Sequence, residues 1–398
     1  AGYQTGCFGK RHLPNDYLSG GWDRSATVIS PKQDPSDENY EEWIQQRGLS
    51  AAYVHDKQGS MKADMGCLIS DVPPDDRLEA YVARKSIEFI RECDRADAPF
   101  FCWAAFHGPH QPYTPPKRWA DLYPPESIPM PDSWDQPIDD LPPEMQAWRR
   151  RETPPWNLAK AAEQPDLYRR YAAYYYAQCT EIDHHIGAIL DELDKLGLRD
   201  DTIVIYASDH GDFIGRHGMI EKCSLGHNVY EETLRVPLII SWPDRFKTGV
   251  VRDDLVELVD IYPTLVDLLD LNRSADAPAL AGRSLVPALT EGTPVGRQYA
   301  FSENWSQATV IGPRYKLGVW IETCPVPFYQ RRDFRNAFPD MLFDREADPL
   351  EQVNLIGRPE YAEVEAKLRA AIDDWMNRTP DDGRKAWSEW AVQRGIER

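Results

Sequence analysis

The stretch Ile203-Val204-Ile205-Tyr206-Ala207-Ser208-Asp209-His210-Gly211-Asp212 decides how the rest of the chain is read. Its first five residues are apolar and rich in β-branched side chains, which predicts a buried strand over 202–207. An acid and an imidazole directly after such a strand are a common way to hold a metal at the carboxyl edge of a sheet. Asp209 and His210 are therefore the candidate metal ligands. The competing reading is a helix-capping Asp209 beside a merely packed His210. Lys222 follows thirteen residues after Asp209 and offers a cation to an anionic substrate. A second basic cluster, Gly9-Lys10-Arg11-His12, stands at the start of the chain. Together these residues point to metal-assisted hydrolysis of an oxyanion ester.

Working outward, Ile182, Ile186, Ile189, Leu193 and Leu196 repeat at steps of four and three, so a long helix opening at Pro165-Asp166 buries one face and stops at Gly197. A helix followed at once by a strand is the rhythm of an α/β fold. The same rhythm appears upstream, where a helical stripe over 77–93 precedes Phe100 to Phe106, read as a fully buried strand. That strand empties into His107-Gly108-Pro109-His110-Gln111-Pro112. Thirteen prolines between Pro109 and Pro155 argue against regular helix there and predict a long ordered loop over the sheet edge. Downstream, a buried strand over 236–241 precedes a helix from about Val259 to Leu271. Beyond residue 290, short strands over 299–305, 308–311, 315–320 and 341–343 and a last helix carrying Tyr361, Val364, Leu368, Ile372 and Trp375 predict a small antiparallel subdomain. The expected division is thus a catalytic domain over 1–290 and an α+β subdomain over 291–398.

Composition narrows the functional classes. A chain of 398 residues with 42% hydrophobic and 28% charged residues can bury a large core. A formal charge of -20 argues against general binding to nucleic acid or acidic lipid, and no apolar run is long enough to predict a membrane span. An anionic substrate must be met by local cations against the field of the whole molecule. The seven cysteines form no CxxC pair, which argues against a zinc knuckle or dithiol site.

These motifs, taken together, resemble the sulfatase family of the alkaline phosphatase superfamily. Gly2-Tyr3-Gln4-Thr5 with Gly9-Lys10-Arg11-His12-Leu13 is similar to the family's GYxTxxxGKxHL signature. Tyr230-Glu231-Glu232-Thr233-Leu234-Arg235-Val236-Pro237-Leu238-Ile239-Ile240 resembles its YEExxRVPLII stretch. Leu258 to Leu265 resembles its VDIYPTLL helix, and Phe343-Asp344, Asp348-Pro349 and Asn354-Leu355 its C-terminal pattern. One departure stands out: no cysteine or serine here lies in a CxPSR or SxPSR nucleophile motif. The resemblance places that motif, and two adjacent aspartate ligands, on a segment upstream of Ala1, so residues 1–398 alone are expected to be inactive.

The resemblance implies an alkaline-phosphatase-like α/β fold, with a mixed, mainly parallel sheet between helices, and a type I sulfatase activity on a sulfate monoester. By that resemblance Asp209 and His210 bind a divalent cation, Ca2+ before Mg2+ or Mn2+, and formylglycine is the nucleophile. Lys10 and Lys222 bind sulfate oxygens, His12 steadies the formylglycine, and His110 protonates the leaving alcohol. His107 reads as a turn residue. Arg11 and Arg216 are further candidate substrate contacts, whereas Arg235 and Asp260 read as internal ion-pair partners. The aromatic, proline-rich loop favours a carbohydrate sulfate. A phosphonate or phosphate ester hydrolase, and a binding protein lacking the nucleophile, are the alternatives. A periplasmic or secreted location follows from resemblance alone.

Overall fold

A computed structural model describes residues 2–11, 21–28, 38–152, 154–222, 228–273, 277, 279–304, 307–320 and 339–379. His12, Cys223 and His227 lie outside the described residues. Contacts divide the chain into two compact units, residues 1–131 with 150–202, and residues 132–149 with 203–398.

The first unit is built on a parallel sheet of β1 (Gln4–Gly9), β2 (Arg24–Thr27), β3 (Glu38–Asn39) and β4 (Phe100–Ala105), in the order β3-β2-β1-β4. β1 pairs with β4 from Gln4 opposite Phe100 to Gly9 opposite Ala105. One face of the sheet rests on the amphipathic helix Leu78–Arg95, where Phe8, Val82, Phe89 and Cys93 form a core with Phe100 and Cys102. Alternation along β4 turns Phe101 and Trp103 to the other face, where they meet Trp22 and stay 44% and 50% exposed. The strand over 100–106 is thus buried on one face only, not on both as its apolar run predicts. The long helix Pro165–Leu196 starts with Pro in its first turn and ends on Gly197 at φ 70°, as read from sequence.

The proline-rich segment differs from expectation. It contains the short helices Lys117–Ala120 and Pro143–Arg149 and several single turns. Its prolines precede or open these turns, where the missing N–H costs no helical bond. Its aromatic residues are largely consumed by packing: Trp119 lies 5.3 Å from His184, Tyr123 donates or accepts at Thr180 Oγ1, and Trp148 joins a buried cluster.

In the second unit β5 (Val204–Ala207) pairs antiparallel with β6 (Leu238–Ser241), but Tyr206 and Ile239 are exposed, so neither strand is buried as its apolar run predicts. A second antiparallel sheet follows, in the order β10 (Met341–Asp344), β9 (Tyr315–Trp320), β8 (Gln307–Ile311), β7 (Ala300–Asn304). The helix Ala362–Arg378 packs Leu368 and Ile372 onto its Val310, Leu317 and Leu342. Asp260 is fully buried and takes two bonds of 2.6 Å from the Arg297 guanidinium. Arg235 instead is solvent-facing, with only a 3.9 Å approach to Glu231, so it is not the internal partner expected. Among the described residues no helix is long and apolar enough to cross a membrane.

Candidate active site

The structure gathers the predicted residues into two sets, one in each unit. In the first unit, parallel pairing brings the carboxyl ends of β1 and β4 side by side. The Lys10 amide bonds to Ala105 O at 2.9 Å, so Lys10 and Arg11 leave the sheet beside the loop that starts at His107. Gly9 makes this approach attainable: a Cβ there would sit 1.9 Å from Ala105 O, at a φ of 119°. Arg11 is buried, with 7% exposure. In the loop, His110 donates from Nδ1 to Gln111 O at 3.0 Å, and His107 Nε2 meets the same oxygen at 3.2 Å. That bond assigns the His110 proton to Nδ1 and makes Nε2 the nitrogen suited to proton exchange.

The loop is pinned from beneath. Gln178 donates to Pro112 O at 3.1 Å, and Arg77 reaches Thr114 Oγ1 while binding Glu181 through Nε and Nη2. Burial pushes the Glu181 carboxyl up to about 7, against the pull of Arg77 and with the neighbouring charge of Glu79.

In the second unit Asp209 and His210 stand directly after β5. His210 Nε2 lies 3.7 Å from Asp209 Oδ1, and its Nδ1 donates to Gly211 O at 2.9 Å. A backbone carbonyl on Nδ1 leaves Nε2 as the donor nitrogen of a metal-ligating histidine. One oxygen and one nitrogen donor therefore fit a shared divalent cation as part of a site. Among the described residues no group of three or more His, Cys, Asp or Glu side chains could hold a metal ion, so these two residues are an incomplete ligand set. Gly211 is required here too, since a Cβ would lie 1.9 Å from Glu232 O.

The interval from Asp209 to Lys222 folds back on itself. Phe213 N bonds to Glu221 O at 3.0 Å, which sets Lys222 beside the end of the Asp209-His210-Gly211-Asp212 run. Ile214, Gly215, His217, Gly218 and Glu221 all adopt positive φ, which for the three non-glycine residues is strain that surrounding contacts must hold. Those contacts centre on His217, a residue the sequence left without a role. His217 is fully buried; its amide bonds to Ser133 Oγ, Nδ1 donates to Gln136 Oε1, and Nε2 faces Glu232 Oε2 at 3.5 Å. Burial raises the Glu232 carboxyl, but the His217 bond and nearby Arg216 outweigh it and hold the group below its usual range. Glu232 also approaches Arg216 Nε at 3.5 Å, which orients that candidate contact. Phe213 and Met219 anchor the loop in a core shared with Met341 and Phe343 of β10.

Residues 1–271 match the Sulfatase family profile, and residues 215–378 match the profile of the N-sulphoglucosamine sulphohydrolase C-terminal region. An arylsulfatase of Clostridium perfringens is 32% identical over 304 residues, covering 73% of this chain. The chain spans 56% of that relative's length. The fold resembles the phosphonate monoester hydrolase of Agrobacterium radiobacter, with a TM-score of 0.70, 21% identity and coverage of 95% of this chain and 78% of that one. It also resembles a protein solved with its substrate D-glucosamine-2-N,6-O-disulfate, with a TM-score of 0.67, 21% identity and coverage of 96% and 81%.

Proposed function

The chain belongs to the sulfatase family, and from that premise we propose that the protein hydrolyses a sulfate monoester to an alcohol and inorganic sulfate. The observation that carries this reading is the folded-back loop, whose Phe213 N to Glu221 O bond returns Lys222 to the end of the run that begins with Asp209 and His210. A lysine returned to the end of a run that starts with two candidate ligands suits an anionic ester better than a neutral one, and its Nζ lies 3.3 Å from Glu221 Oε1. Asp209 and His210 would hold a divalent cation, Ca2+ by family resemblance, which when bound supplies Lewis-acid stabilisation of an oxyanion. Lys222 and Lys10 bind sulfate oxygens and neutralise charge that builds in the transition state. His110 gives the leaving alcohol its proton from Nε2, with Nδ1 held by Gln111 O. Arg216 and Arg11 are retained as weaker substrate contacts, and His12 as the residue that steadies a formylglycine nucleophile.

That nucleophile is proposed to come from polypeptide outside residues 1–398, because no CxPSR or SxPSR motif occurs within them. Residues 1–398 alone are accordingly expected to bind anion without turning it over. We further propose a catalytic domain over 1–290, a periplasmic or secreted location, and a sulfated carbohydrate as substrate. The match to an N-sulphoglucosamine sulphohydrolase profile supports the last point. The experiment is a paired assay of the full-length protein on matched sulfate and phosphonate monoesters in the presence of calcium. Preferential release of sulfate supports the reading; faster phosphonate turnover replaces it with the alternative oxyanion.

A further inference from the structure

We propose that Asn228 and Gln307 are positioning residues for Lys222, so that the C-terminal sheet is a working part of the anion site. This deepens the reading above and rests on Lys222 contacting the anion. The Lys222 carbonyl accepts a hydrogen bond from Asn228 Nδ2, across the intervening residues 223–227. Asn228 is itself held on every polar group that the structure assigns to it. Its amide donates to Gln307 Oε1, and its carbonyl accepts from Gln307 Nε2 at 3.0 Å. Its Oδ1 accepts from Thr233 Oγ1 at 2.8 Å. Gln307 opens β8, is 1% exposed, and spends its other amide hydrogen on Thr309 Oγ1 at 2.8 Å.

A glutamine side chain that pairs with both backbone groups of one residue fixes that residue almost as a strand partner would. The polar chain therefore runs from β8 through Asn228 to the backbone of Lys222; its Gln307 and Asn228 links are buried, and the last one, to Lys222, is half-buried. Close packing supports it: a Cβ on Gly318 of β9 would lie 2.0 Å from Val229 Cγ1, so the sheet meets the segment without a gap. Backbone geometry sets where the lysine side chain begins, and a misplacement of about 1 Å at a charge-stabilising group costs up to about a hundredfold in rate. Sequence pattern gives no hint of this, because the two partners are 79 residues apart.

The test is a double-mutant cycle in two settings. On residues 1–398, calorimetric titration with inorganic sulfate measures anion binding by the wild type, Asn228→Asp, Gln307→Ala and each combined with Lys222→Ala. On the full-length protein the same set is assayed for kcat and KM. Asn228→Asp keeps the Oδ1 acceptor and removes the donor to Lys222; Gln307→Ala leaves the charge around the lysine unchanged and guards against an effect of the new carboxylate. Thermal unfolding of each variant keeps loss of fold apart from loss of position. The expected result is sulfate binding weakened about tenfold by either change and kcat lowered more than KM. Neither should have any further effect once Lys222 is alanine. Losses that multiply in the Lys222→Ala background, or unchanged sulfate binding in both folded variants, overturn the proposal. Absence of sulfate binding in the wild type overturns it as well. If the full-length protein prefers a phosphonate ester, the sulfatase reading fails, while the same cycle run on that ester still decides the positioning claim.

Discussion

The two sets of candidate residues are seated by different means. Lys10 and the His110 loop leave neighbouring ends of parallel strands, and backbone pairing at Gly9 and Ala105 places them. Lys222 and Arg216 sit in a loop with five positive-φ residues from Ile214 to Glu221, and side chains place them: His217, Glu232, Gln136, Asn228 and Gln307. A site built on backbone is vulnerable to added atoms, whereas one built on a polar network is vulnerable to removed ones.

That contrast can be broken most readily at Gly9. Gly9→Ala forces a methyl to 1.9 Å from Ala105 O at a φ of 119°, and should destabilise the fold by about 4 kcal/mol or more. A chemical denaturation midpoint within error of wild type would show that the strand ends can separate.

The corresponding blow to the second set is His217→Ala. It leaves buried Gln136 without its partner and the Glu232 carboxylate with Arg216 alone, at an expected loss of roughly 2 kcal/mol. Because the loop carries Lys222, sulfate binding should fall along with stability. A variant that keeps wild-type stability would remove His217 from its central place in the network.

A smaller effect sharpens the picture of the first unit. Glu181, raised to about 7 by burial, keeps its proton in the folded state where the unfolded carboxyl, with a value of 4.5, has lost it. Its contribution is full below that unfolded value and is lost as pH rises through about 7. On the same helix, burial lowers His185 from 6.5 to about 4, aided by His184 and Arg118. Its contribution is present above 6.5 and lost as pH falls through about 4. The two slopes oppose each other between these limits. His185→Leu should therefore lower the urea midpoint at about pH 7 relative to about pH 5, when compared with the same difference in the wild type. An unchanged difference would mean that burial does not lower His185 in the folded state.

Much of this was legible in the amino-acid sequence. The helix ending at Gly197 and the four C-terminal strands follow from periodicity and turn residues, because local burial determines them; the strand before Asp209 forms where its apolar run predicts but is half-exposed rather than buried. The short helices in the proline-rich segment were missed because proline is excluded only from a helix interior, and here it stands at the first turn. The half-exposed strand at Phe101 and Trp103 was misread because an apolar run does not reveal whether one or both faces find cover. The candidates Asp209, His210, Lys10 and Lys222 rest on motif alone. Their supports, His217 to Gln136 and Asn228 to Gln307, are 81 and 79 residues apart. No local pattern can announce pairings at such range.

The most direct measurement is release of inorganic sulfate from a sulfate monoester by the full-length protein with calcium, comparing wild type with Lys222→Ala. Turnover by the wild type and a loss of about a hundredfold or more in kcat for the variant is the outcome this account predicts. Equal turnover by the two proteins would contradict it.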